Sequence, residues 1–201
     1  MTIKLLLGLA GPARAGKSTA QGIIADRFGL ARVNFADPIK DALAAMLWLD
    51  ERHLAGELKE KPLGWLPHSP RELMQTLGTE WGRELYGTGF WTTVAQQRLA
   101  RLEDIEGERF QGAVFSDVRF ESEARWIRNH GGTVIHLQRN DAQPVRSHPS
   151  EAGIPLKHGD LIVANNGDLI VANNGDLDEL RSRLTQAVDS LIDARVAAHS
   201  G

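Results

Sequence analysis

The chain contains no cysteine among its 201 residues. That excludes disulfides, thiolate zinc sites and a cysteine nucleophile, and it fits a reducing cytosol. A strong charge of either sign is missing too: 23 basic against 26 acidic residues leave a net charge of −3. A surface that coats nucleic acid is therefore not expected. No apolar run approaches the ~20 residues needed to cross a bilayer, so no membrane partner is expected. The apolar residues 3–10 are too few for a signal peptide and lead straight into a glycine-rich turn. The expected location is cytoplasmic. Of the seven histidines, His148 could serve as a catalytic acid but has no assignable partner, and the other six show no metal-ligand spacing. Lysine is scarce as well, with 6 Lys against 17 Arg. Arginine offers a planar fork for phosphate oxygens, whereas GC-rich coding raises arginine everywhere, so only positions can decide between the two.

What is present is more specific. Gly11, Pro12, Ala13, Arg14, Ala15, Gly16, Lys17 and Ser18 fit G-x-x-x-x-G-K-[ST], a phosphate-cradling P-loop. Residues 3–9 before it read as a strand and residues 18–28 after it as a helix. The strand aims the loop, the glycines let backbone N–H groups curl around an anion, and the helix N-terminus adds its positive end. With Thr19, these residues form the candidate ATP site. Lys17 would reach the β- and γ-phosphates, and Ser18 would hold Mg²⁺.

Strand and helix signals alternate along the chain, which predicts an α/β fold with a parallel sheet. Strands are expected at 3–9, 31–35, 112–116 and 133–137, with a last one at 161–164 or 169–172. Helices are expected at 37–48, 69–85, 90–105 and 176–198. Ser69, Pro70 and Glu72 spell a capping box for the second of these. One domain, 1–201, is expected, with two mobile inserts at about 37–110 and about 140–158. Residues 159–166 read GDLIVANN, and residues 167–174 repeat them. Two short copies are too few for a solenoid. Three arrangements compete: the first copy in the sheet, the second copy, or both as a hairpin turning on Asn166-Gly167. Continuity into the last helix favours the second copy.

A phosphoryl-transfer site needs a further magnesium holder. Asp117 ends the apolar run Ala113, Val114, Phe115, Ser116, the Walker-B arrangement. An N-cap for the following helix is the alternative. Arg119, at the carboxyl edge of the sheet, is a candidate phosphate clamp or a partner of Glu121 or Glu123. Arg139, Arg146, His148 and Glu151 lie at the start of or within a proline-broken stretch, which reads as a lid or as an ordinary solvated loop. Asp37, Lys40, Arg71, Gln75, Thr79, Arg83 and Trp91 fall in the long insert, where a P-loop kinase binds its acceptor. Arg71, Gln75, Thr79 and Arg83 are spaced by four and share one helix face. Trp91 is either a stacking platform for a base or a core aromatic.

Several blocks carry a resemblance: Phe35-Ala36-Asp37-Pro38-Ile39-Lys40; the run from Ser69 to Glu80 followed by Phe90-Trp91; Ser116-Asp117-Val118-Arg119-Phe120 with Glu123-Ala124; and His148-Pro149-Ser150-Glu151. In this order, with the P-loop, the chain resembles the deoxynucleoside monophosphate kinases of tailed bacteriophages and prophages over nearly its whole length. The resemblance implies a P-loop NMP-kinase fold: a parallel sheet of about five strands between helical layers, an acceptor-binding insert and a lid. It implies transfer of the γ-phosphate of ATP to a dNMP with Mg²⁺, in the host cytoplasm where a phage encodes the protein. It also brings Glu123 into the acceptor site and Asn173 and Asn174 toward the donor base. The duplicated octapeptide departs from the pattern, because Asn165 and Asn166 could take the place of those two. A homodimer is compatible with the family.

The reading is a nucleotide kinase whose acceptor phosphate needs no general base. Lys17, Mg²⁺, Arg119, Arg139 and Arg146 would screen the repulsion between two anions. One rival is a P-loop kinase of a hydroxyl-bearing metabolite, resembling dephospho-coenzyme-A or shikimate kinases, with Asp37 as general base. Another is a nucleotide-binding ATPase without a small acceptor.

Overall fold

A computed structural model of the chain describes residues 4–138, 154, 157, 160–164 and 174–199. Its chain divides into two compact units, residues 1–34 with 99–201, and residues 35–98.

In the first unit, five parallel strands lie in the order β2-β3-β1-β4-β5. They are β1 (Leu5–Ala10), β2 (Ala31–Val33), β3 (Gly112–Phe115), β4 (Thr133–Gln138) and β5 (Leu161–Ala164). The central strand β1 reads LLLGLA, an unbroken apolar run, as a strand covered on both faces should. Its register sets Gly8 beside Phe115 on one side and Val134 on the other. Helices α1 (Lys17–Phe28), α6 (Glu121–Asn129) and α7 (Asn174–His199) complete the unit, entered from α5 (Phe90–Glu106) through a short 3-10 turn at Gly107–Arg109. Leu7, Leu9, Ile24, Val114, Ile135, Leu137, Leu180 and Leu184 form a core between α1, α7 and the sheet.

The last strand corrects one expectation. The first copy of the octapeptide enters the sheet, pairing Leu161 to Ala164 with Ile135 to Gln138. Asp160, one residue ahead of the strand, anchors it. Its buried carboxylate takes both arms of Arg128, from Nε at 3.1 Å and Nη2 at 2.5 Å. It also accepts from the Lys157 backbone N–H at 3.1 Å, and His136 Nε2 lies 3.1 Å away. Burial alone would raise the Asp160 carboxyl. The hydrogen bonds of Arg128, Lys157 and His136 outweigh burial and hold it below the usual carboxylate range.

The second unit contains α2 (Asp37–Leu47), α3 (Glu51–Leu54), α4 (Pro70–Thr76) and the first turns of α5. Its core gathers Ile39, Leu43, Leu49, Leu54, Leu63 and Trp91. Ser69 caps α4 as its sequence predicts: the Ser69 N–H donates to Glu72 Oε2 at 2.8 Å, and the Glu72 N–H returns to Ser69 Oγ at 3.3 Å. The α-helix expected to run on to Leu85 stops at Thr76. Leu77–Leu85 is wound as a π-helix instead. Among the described residues, no helix is long and apolar enough to cross a membrane.

Candidate active site

The P-loop joins the carboxyl end of β1 to α1. Its backbone leaves the right-handed regions three times, at Gly11 (φ 143°), Arg14 (φ 64°) and Gly16 (φ 88°). Such reversals curl a loop into the anion-binding concavity that phosphates occupy. Gly11 is also a steric necessity, since a Cβ there would sit 2.4 Å from the Leu137 carbonyl oxygen. The N-cap residue, Gly16, brings no side chain, and no acidic residue lies in the first turn of α1. The dipole's positive end therefore keeps its attraction for an anion. Lys17 Nζ donates to the carbonyl oxygens of Gly11 and Pro12, each at 2.7 Å. Ser18 and Thr19 are exposed at the helix start, and Ala15 is buried beneath the loop.

Strand β3 runs beside β1, so Asp117, two residues past its end, lies at the same sheet edge as the P-loop. A polar network braces this edge. Gln21 Nε2 donates to the carbonyl of Val114 at 2.8 Å, to that of Val33 at 3.2 Å and to Asn34 Oδ1 at 3.1 Å. The same Asn34 oxygen accepts from Ser116 N–H at 3.1 Å and Ser116 Oγ at 2.7 Å. One side chain of α1 thus ties the ends of β2 and β3 together. The sequence reading missed Gln21 and Asn34. Their signal was a polar residue on the inner face of α1 and another directly after an apolar strand.

Glu123 is placed differently from the role the resemblance implies. It is 2% exposed, and its Oε2 accepts from the backbone N–H groups of Arg119 at 2.7 Å and Phe120 at 3.0 Å. That makes it the cap of α6, which fixes the backbone of Arg119. The half-buried Arg119 side chain follows β3 at the carboxyl edge.

In the second unit, Asp37 and Lys40 lie on the first turns of α2, with Arg98 Nη1 3.7 Å from Asp37 and 3.6 Å from Asp41. Arg71 opens α4 and pairs with Glu60 at 2.8 Å, and Gln75 lies one turn further on. Thr79 and Arg83 belong to the π-helix. The α-helix expected to carry all four residues thus holds only Arg71 and Gln75. Arg83 is buried and donates to the Thr88 carbonyl at 3.2 Å. Trp91 is also buried, with its indole N–H donating to the Gly78 carbonyl at 2.7 Å, so it is a core aromatic and not an open stacking platform.

Arg139, Arg146, His148, Glu151 and Asn173 lie outside the described residues, as does most of the expected lid at 140–158. Asn174 opens α7. Among the described residues, no group of three or more His, Cys, Asp or Glu could hold a metal. The oxygens of Ser18 and Asp117 still fit magnesium, a hard cation that takes one or two protein oxygens and completes its shell with phosphates and water.

Comparisons with known proteins converge. A family model described as deoxynucleotide monophosphate kinase matches residues 66–184. A protein of Acanthamoeba polyphaga mimivirus, provisionally named a deoxynucleotide monophosphate kinase, is 30% identical over 195 residues, which cover 92% of this chain and 97% of that protein. The deoxynucleotide monophosphate kinase of Escherichia phage RB69 is 35% identical over 98 residues, 49% of this chain and 39% of its own length. The deoxynucleoside-5'-monophosphate kinase of Escherichia phage T5 is 34% identical over 119 residues, 55% of this chain and 45% of its own length.

Proposed function

The chain belongs to the deoxynucleotide monophosphate kinase family, and we propose that it transfers the γ-phosphoryl group of ATP to the phosphate of a dNMP, giving ADP and dNDP. The observation that supports this most is the loop from Gly11 to Ser18, set between β1 and α1 at the sheet edge that also carries Asp117.

The acceptor phosphate is largely ionised at neutral pH, since its second pKa is about 6. Its oxygen is already a nucleophile, so no general base is required. The protein must bring two anions together in line and offset their repulsion. The P-loop amides and the α1 dipole hold the donor phosphates, and Lys17 swings from its carbonyl partners to the β/γ oxygens. Ser18 and Asp117 would hold Mg²⁺, which supplies charge neutralisation across the donor phosphates when bound. Arg119, on a backbone fixed by Glu123, would clamp the transferring group, with Arg139 and Arg146 adding charge from a lid. Asp37, Lys40, Arg71, Gln75, Thr79 and Arg83 form the proposed acceptor surface of the second unit. This reading places the reaction in the cytoplasm.

Kinases of hydroxyl acceptors need a base. The residue available for that role, Asp37, lies near Arg98, which suits an ion pair better than proton abstraction. The test is ADP production against each deoxynucleoside and ribonucleoside monophosphate in turn. At least one dNMP should stimulate turnover far above that with ATP alone, whereas acceptor-independent hydrolysis would support the ATPase reading.

A further inference from the structure

A π-helix is rare because it opens the turn to i→i+5 bonding, and where it occurs it often marks a functional site. The segment Leu77–Leu85 keeps this winding for 9 residues, so something must hold it open. The sequence places Gly78 and Gly82 four residues apart within it, and the indole of Trp91 lies against both. Its N–H donates to the Gly78 carbonyl at 2.7 Å. At Gly82 a Cβ would meet the same ring at 2.4 Å from Nε1, 2.6 Å from Cε2 and 2.7 Å from Cζ2. The ring is only 5% exposed, and Phe90 packs edge-on to it at 4.8 Å with Trp81 at 6.3 Å. Thr79 follows the first glycine and Arg83 follows the second.

We propose that Trp91 is a positioning residue for the acceptor nucleotide: its indole pins the π-helical segment and thereby sets the direction in which Thr79 and Arg83 face the dNMP. The inference rests on the reading of those two residues as acceptor contacts. Trp91 itself, buried with its only donor engaged, touches no nucleotide in this arrangement. Gly82 is part of the same device, because only a residue without a side chain admits the ring.

The test compares Trp91→Phe, Gly82→Ala, Thr79→Ala and Arg83→Ala, with the four deoxynucleoside 5'-monophosphates as acceptors in turn. Trp91→Phe keeps an aromatic ring and removes the N–H. It should raise KM for the dNMP by about five- to tenfold, the scale of one lost hydrogen bond, while KM for ATP stays within about twofold. Gly82→Ala should do the same. The double variant should fall short of the product of the two, because the smaller ring makes room for the new methyl. Gly82→Ala carries the test by itself if Trp91→Phe does not fold. Folded Trp91→Phe and Gly82→Ala proteins with unchanged dNMP KM would overturn the proposal if Thr79→Ala or Arg83→Ala still raises it. Should neither of those raise it, the acceptor reading of the segment fails, and the proposal fails with it.

Discussion

Lys17 Nζ sits 2.7 Å from the carbonyl oxygen of Gly11, at the opposite end of its own loop. With the Pro12 carbonyl as second partner, the ammonium reaches back across the P-loop. A phosphate exchanges neutral acceptors for charged ones, and charge-assisted bonds are about twice as strong as neutral ones. Lys17→Ala is therefore expected to lower kcat by on the order of 10²-fold or more with little effect on folding. Asp117→Ala should do likewise by weakening the magnesium site. Steady-state ADP release, checked against circular dichroism of each variant, measures both.

Asn34 accepts from Gln21 and Ser116 at once, behind the same sheet edge. Asn34→Ala leaves the Ser116 N–H and hydroxyl short of a partner, while Gln21 keeps the Val33 and Val114 carbonyls. The expected cost is about 1–3 kcal/mol in urea unfolding. Because the network aligns the ends of β2 and β3, kcat should fall as well, though by less than in Lys17→Ala.

Arg128 and Asp160 form a half-buried, two-armed ion pair that anchors β5. Arg128→Met, which leaves the carboxylate with only the Lys157 N–H and His136, should cost about 1.5–3 kcal/mol. The pair also predicts an acid limb. The folded carboxyl titrates below its unfolded value, so its contribution is complete above the ordinary carboxylate range and is lost as pH falls below about 4. Urea midpoints measured from pH 7 down to pH 3 should drop more steeply for the wild type than for Arg128→Met.

Deleting residues 159–166 places Gly167, Asp168 and Leu169 directly after His158, which restores the same local sequence with one octapeptide. Asp168 then stands where Asp160 stood, and loop-length changes cost only about 0.6 kcal/mol per doubling. The shortened protein should keep its fold and stay within about threefold of full activity. Unfolding, or a loss above about tenfold, would mean that the second copy has a structural role of its own.

These elements also mark what a sequence can and cannot disclose. The strand-loop-helix from β1 to α1 and the Ser69–Glu72 cap are legible because every partner lies within a few residues. The choice of β5 is not, since both copies have identical propensities. The first copy's place is held by Arg128 and His136, over twenty residues upstream of Asp160. The π-helix escaped for the same reason: its winding is held by Trp91, which comes from the next helix. Glu123, legible only as an acid in a familiar block, proved to be a helix cap once its Arg119 and Phe120 donors were placed.

Phosphorylation of a deoxynucleoside monophosphate by this chain can be measured directly. The purified protein should be given ATP, Mg²⁺ and one dNMP at a time, with ADP and dNDP quantified together. At least one dNMP should yield dNDP and ADP in equal amounts, and Lys17→Ala should lose both. ADP without dNDP from every dNMP offered, at a rate indifferent to the acceptor, would contradict it.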